Sequence, residues 1–179
     1  MRKRGLLLLV AILGLFLAGP ALAVDILPQG KATMETCLSH VLERFPGQVT
    51  IVEFLTSEGL PVYEFEVQMP DNTHWNVECS GETGYIIDFS QHVKADDPRF
   101  KSKAKISQAE AEKIALGFVP GKVDRREIYL EDDGRPLYEF DIEAKHGGEI
   151  KVEVYADTGI IDVVEVEYWE IGEFKNYNQ

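Results

Sequence analysis

The chain has 179 residues, 45% of them hydrophobic and 27% charged. That balance excludes a disordered chain and allows one ordinary domain or two small ones. Acidic residues outnumber basic ones by 31 to 18, for a net charge of -13. Such a field repels phosphate backbones and anionic lipid surfaces, which argues against nucleic acid as a partner. It suits solubility first, and cations or basic partners second.

The sequence opens Met1-Arg2-Lys3-Arg4, runs apolar from Gly5 to Ala18, and continues through Pro20 to Ala21-Leu22-Ala23. A basic start, a short apolar run and an Ala-x-Ala close predict a secretory signal peptide over residues 1–23, cut between Ala23 and Val24. This places the mature protein in the periplasm or outside the cell. An uncleaved segment would instead be a membrane anchor, the only membrane association expected. Cleavage removes three basic residues and no acidic one, so the mature chain is more acidic still.

After a short segment over 24–32, the chain repeats itself. A Pro-Gly (Pro46-Gly47, Pro120-Gly121), a Gly-x-Pro-x-Tyr-Glu-Phe (Gly59 to Phe65, Gly134 to Phe140) and a Thr-Gly (Thr83-Gly84, Thr158-Gly159) recur in one order. The offset is 74 residues up to the first hairpin and 75 after it. Two copies of a unit this size predict two small domains, over 33–90 and 107–168.

Each copy begins as a helix. Thr33 caps the first and Ser107 the second, where Glu110 completes a capping box. Apolar residues follow at helical spacing: Met34, Cys37, Leu38, Val41, Leu42 and Phe45, then Ala111, Ile114, Ala115 and Phe118. The Pro-Gly pairs end both helices. Strands come next. Tyr63, Phe65 and Val67 alternate with Glu64 and Glu66, and Tyr138, Phe140 and Ile142 alternate with Glu139, Asp141 and Glu143. Period two with one charged face predicts an antiparallel sheet that is wet on that side. Glycine-containing turns separate four strands per copy. The predicted class is therefore α+β: two tandem repeats, each a helix packed on its own four-stranded antiparallel sheet. Residues 91–106 read as a charged linker. Residues 169–179 read as a C-terminal tail that carries the last strand beyond its sheet.

Cys37 and Cys79 align with Ala111 and Val154 of the second copy, both predicted core positions. The sulfurs should therefore meet, one from a helix and one from a strand, and an exported protein would oxidise them to a disulfide. Such a bond is worth roughly 4 kcal/mol in the chain-entropy model. A redox pair and two free buried thiols are the alternatives.

Little in the sequence points to catalysis. His40, His74, His92 and His146 lack zinc-ligand spacing, and no phosphate loop or nucleophile elbow is present. No cofactor and no metal ligands are expected. The carboxylate rows read as a solvated face. Glu131-Asp132-Asp133-Gly134 offers oxygen ligands but reads as a turn without the spacing of a calcium loop. Tyr63, Phe65, Tyr138 and Phe140 read as core, with a ligand platform as the alternative.

Taken together, Ser107-x-x-Glu110-Ala111, Pro120-Gly121-x-Val123, Gly134-x-x-x-Tyr138-Glu139-Phe140-x-Ile142, Val152-x-Val154 and Asp157-Thr158-Gly159-x-Ile161 resemble the PepSY domain. The first copy departs from the pattern at its Thr33–Thr36 helix start and at Cys79-Ser80-Gly81. The resemblance implies an exported or membrane-facing module of the kind found in propeptides of thermolysin-like metallopeptidases, with a role in restraining peptidase activity. The tandem layout is similar to that of the β-lactamase inhibitory protein. No catalytic residues come with the family.

The expected function is thus binding to another exported protein or peptide segment, a peptidase among the expected partners. Two routes are open. An edge strand can pair with an extended segment, or Tyr168, Trp169, Ile171 and Phe174 in the tail can anchor in a partner groove. The alternative is an acidic periplasmic protein that binds cations or senses envelope stress.

Overall fold

The computed structural model describes residues 28–172; the expected signal segment over 1–23 and Phe174 lie outside the described residues. Helix α1 (Met34–Arg44) is followed by strands β1 (Gln48–Ser57), β2 (Leu60–Gln68), β3 (His74–Ser80) and β4 (Ile86–His92). A short helix α2 (Pro98–Lys101) leads to α3 (Gln108–Phe118), then β5 (Gly121–Glu131), β6 (Pro136–Ala144), β7 (Glu149–Tyr155) and β8 (Ile161–Gly172).

Local chemistry sets the helix ends. The Thr33 hydroxyl accepts from the Thr36 N–H, and Ser107 and Glu110 form a reciprocal capping box. Each helix covers the apolar face of its own half. Beneath α1 lie Phe65, Val67 and Val77, and Cys37 is disulfide-bonded to Cys79 of β3. Beneath α3 lie Phe140, Ile142, Val152 and Val154, with Ala111 and Ala115 fully buried above them. The Tyr138 hydroxyl donates to the Ile106 carbonyl, so this aromatic pair is core.

The sheet corrects the predicted architecture. All eight strands pair in sequence order and β8 returns to β1, giving one closed barrel in place of two separate four-stranded sheets. The two seams differ. Between β4 and β5, Ser90, Gln91 and His92 pair with Glu131, Leu130 and Tyr129. Between β8 and β1 the pairing runs from Ile51↔Gly172 to Ser57↔Glu165, with a register shift at Phe54/Leu55. Residues 169–172, the described part of the expected tail, therefore lie within the sheet, paired with β1. The long alternation of β8 is the length needed to span β7 on one side and β1 on the other.

Residues 91–106, read as a charged linker, include the end of β4 and the short helix α2. Gln91 and His92 belong to β4, and α2 drops Phe100 into the second core, edge-on to Tyr138.

Candidate functional site

Closure has a consequence that alternation alone does not reveal. Side chains on one face of every strand now point into the barrel, and these are the charged ones. Glu53, Glu64, Glu66, Glu127, Glu139, Asp141, Glu153 and Glu165 are all buried, which overturns the expected solvated face. The repeat places many of them in pairs: Glu53 with Glu127, Glu64 with Glu139, Glu66 with Asp141, Glu78 with Glu153.

Two cations enter this interior from the second half. The fully buried Lys151 ammonium lies 2.8 Å from Glu53 Oε2, 2.6 Å from Glu64 Oε1 and 3.7 Å from Glu139 Oε1. Arg125 reaches Glu53 at 3.1 Å and Asp141 at 3.2 Å, and also pairs with Glu170. Asn76, at the position in the first half equivalent to Lys151, donates to the Glu64 oxygen at 2.7 Å. His92 Nε2 sits 3.4 Å from Glu127 Oε1, its ring edge-on to Tyr129.

Carboxylates here outnumber cations, and the electrostatics follow. Burial works to raise Glu53, but Lys151 and Arg125 outweigh it and hold this carboxyl down at about 2. Burial together with Glu127 and Glu53 pushes Glu66 up to about 8. Asp141 rises to about 7 through burial, against the pull of Lys151 and Arg125. Glu139 is raised well above its ordinary range, again by burial first, and neither of its oxygens has a hydrogen-bond partner among the described residues. At neutral pH the interior is thus held together by two cations and by protons kept on several carboxyls.

At the end of the barrel away from Arg125, Glu131 of β5, Glu153 of β7 and Asp162 of β8 bring carboxylate oxygens within 4.8 Å of one another. Two more such groups lie inside, Glu64 with Glu78 and Glu165, and Glu127 with Glu139 and Asp141. The sequence singled out Glu131 within its turn; it missed the companions because they come from other strands.

On the outer surface, Phe54, Tyr63, Tyr168 and Trp169 form an aromatic cluster where β8 meets β1. Phe54 lies 5.0 Å from Tyr63 and 5.7 Å from the stacked Trp169, centroid to centroid. Phe54, Tyr63 and Trp169 of this cluster line a groove of about 370 Å³ walled by Pro28, Thr33 and Met34 at the start of α1, and Tyr168 stands beside it against Phe54. Of the residues expected to meet a partner, Tyr168 is 41% and Ile171 63% exposed, while Trp169 is half-buried in the cluster.

A twice-repeated helix over four antiparallel strands, with a turn at Thr-Gly in each copy, defines a tandem α+β repeat module. The chain belongs to the PepSY family: the model of the "Peptidase propeptide and YPEB domain" matches residues 31–89 and again 105–161. That family indicates no enzymatic class. The chain is 35% identical over 114 residues to the uncharacterized protein YkoJ of Bacillus subtilis (strain 168), a match covering 61% of this chain and 59% of YkoJ. It thus spans about three-fifths of that relative's length. The C-terminal domain of YpeB from Bacillus megaterium aligns with a TM-score of 0.37 at 22% identity, over 75% of this chain and 63% of that one.

Proposed function

We propose that the protein is an exported, non-catalytic binding module that docks another exported protein, a peptidase in the first instance, through the aromatic groove at the β1–β8 seam. The observation that carries this reading is Tyr168 and Ile171 standing exposed on the same strand as half-buried Trp169, which lines a ready-made groove at that seam. Aromatic anchors of this kind dominate interface energies, and the half-buried ring is already ordered before a partner arrives. Membership of the family named for peptidase propeptides supports a peptidase as the partner. The basic-apolar-small pattern of residues 1–23 supports export, and no helix among the described residues is long and apolar enough to cross a membrane.

Edge-strand pairing is the weaker route. Barrel closure uses the edges of β1 and β8, while the three-pair β4–β5 seam leaves short stretches of β4 (86–89) and β5 (121–127) without a strand partner on that side.

The test is photo-crosslinking in the parent cell from position 168, with exposed position 113 on α3 as control. An adduct with one exported protein from position 168 alone is expected. Binding of that purified partner should weaken at least tenfold in Tyr168→Ala and in Ile171→Ser. Identical adducts from both positions, or no loss in either variant, would refute the groove. Slower substrate cleavage by a thermolysin-like metallopeptidase on adding the protein would identify the partner class; no complex and no slowing would remove the peptidase.

A further inference from the structure

We propose that Glu131, Glu153 and Asp162 form a binding site for a hard divalent cation of the calcium type at the mouth of the barrel. Their oxygens lie within 4.8 Å of one another. Ligands about 2.4 Å from a calcium ion stand at most about 4.8 Å apart, so the three fit one coordination sphere with little movement. The donors are all carboxylate oxygens, without sulfur or imidazole, which selects calcium or its oxygen-preferring relatives over zinc.

Glu153 is the second, separate observation. It is only 8% exposed, yet its carboxylate makes no hydrogen bond or ion pair among the described residues. A carboxylate this enclosed, set beside other carboxylates, favours uptake of a proton or a cation. Its two companions shape the access: Glu131 is partly exposed and Asp162 exposed, so an ion can enter from solvent and meet Glu153 at the floor.

The positive charges nearby are otherwise engaged. Lys151 bonds Glu53 and Glu64 deeper in the barrel. Arg135 lies flat on the Tyr155 ring, 3.3 Å from its centroid, and pairs with Asp157. Lys103 donates to the Gly134 carbonyl at the back of the turn. Facing the three ligands instead are more carboxylates. Asp88 of β4 and Asp132 and Asp133 of the turn all act on Glu131, and with burial they push it up to about 8. Burial first, and Asp162 next to it, hold the Tyr155 hydroxyl above its usual range, which places this ring beside the third ligand.

The repeat shows that the fold does not require this set. The equivalent positions in the first half are Ser57, Glu78 and Ile87, which supply one carboxylate of the three. The acidic trio is therefore a property of the second half alone.

The experiment uses the full chain after treatment with a chelator, at pH 7.5. Calcium at 1 mM, a concentration on the order of the weaker extracellular calcium modules, should raise the melting temperature by several degrees beyond sodium chloride of equal ionic strength. Terbium should bind with luminescence excited through Tyr155, and calcium should displace it. Glu153→Gln and, separately, Glu131→Gln should each weaken calcium at least tenfold by calorimetry, while Asp124→Asn on the exposed part of β5 leaves it unchanged. Gln in place of Glu153 reproduces the protonated carboxyl, so the variant remains folded. A melting temperature that responds to acid but not to calcium would show a proton-only site and overturn the proposal. Calcium binding that survives both glutamine variants would do the same.

Discussion

Glu53 and Glu131 lie on strands that are copies of each other, β1 and β5, and both turn toward the barrel interior. One is held near 2 and the other pushed to about 8. Burial opposes ionisation in both. The difference is that Lys151 and Arg125 reach Glu53, whereas Glu131 faces Asp88, Asp162, Asp133 and Asp132. The same side chain in the same fold thus serves as an anchor of an ion network at one end and as an uncompensated acid at the other. Two cations, both from the second half, decide which end is which.

The comparison breaks most severely at Lys151. Lys151→Met should cost about 3–5 kcal/mol at pH 8, because removing one member of a buried ion network leaves its partners unpaired. At pH 5 the loss should be smaller, since the orphaned carboxyls then take up protons; denaturant unfolding at both values checks this. Next in size is the disulfide. Cys37→Ala with Cys79→Ala should cost about 2–5 kcal/mol, read as a lower urea midpoint. The loss should match what reductant does to the parent protein, because the second half has only Ala111 and Val154 at those places.

The pH dependence sharpens the contrast between the ends. Glu66, Glu131 and Glu167 rise from 4.5 to about 8 on folding, so the folded state holds more protons than the unfolded one. Their contribution is fully present below about pH 4.5 and is lost as pH climbs toward 8. Glu53 has the opposite sign: lowered from 4.5 to about 2, it stabilises above 4.5 and loses that effect as pH falls toward 2. Melting temperature should therefore peak near pH 5 and decline on both sides. Glu66→Gln should be nearly neutral at pH 5 and stabilising at pH 9, where burial and then the charge of Glu127 disfavour the ionised carboxylate that the variant removes.

The helices, their caps, the inward Cys37 and Cys79 and the Phe65 and Phe140 faces were legible because they depend on local period and on the repeat. Closure was not. Alternation states which side chains share a face of β2 or β6; it does not state what covers that face. The cover comes from pairing between residues far apart in sequence, such as Ser57↔Glu165 and His92↔Tyr129. Two signals were nonetheless present: Lys151 stands alone among Glu149, Glu153 and their neighbours on the face read as wet, and the alternation after Ile160 is too long for a strand with one partner. The Glu131 turn drew attention by its oxygens, but Glu153 and Asp162 join it through the successive β5–β6, β6–β7 and β7–β8 pairings.

What separates an enclosed acidic interior from a hydrated sheet face is whether the carboxyls keep their protons near neutrality. Titrating carboxyl ¹³C shifts by NMR from pH 3 to 9 reads this residue by residue. Glu66, Asp141 and Glu131 should titrate at about 8, 7 and 8, with Glu53 already ionised at the acid limit; all four titrating together between about 3 and 5, as free carboxyls do, would contradict the closed barrel.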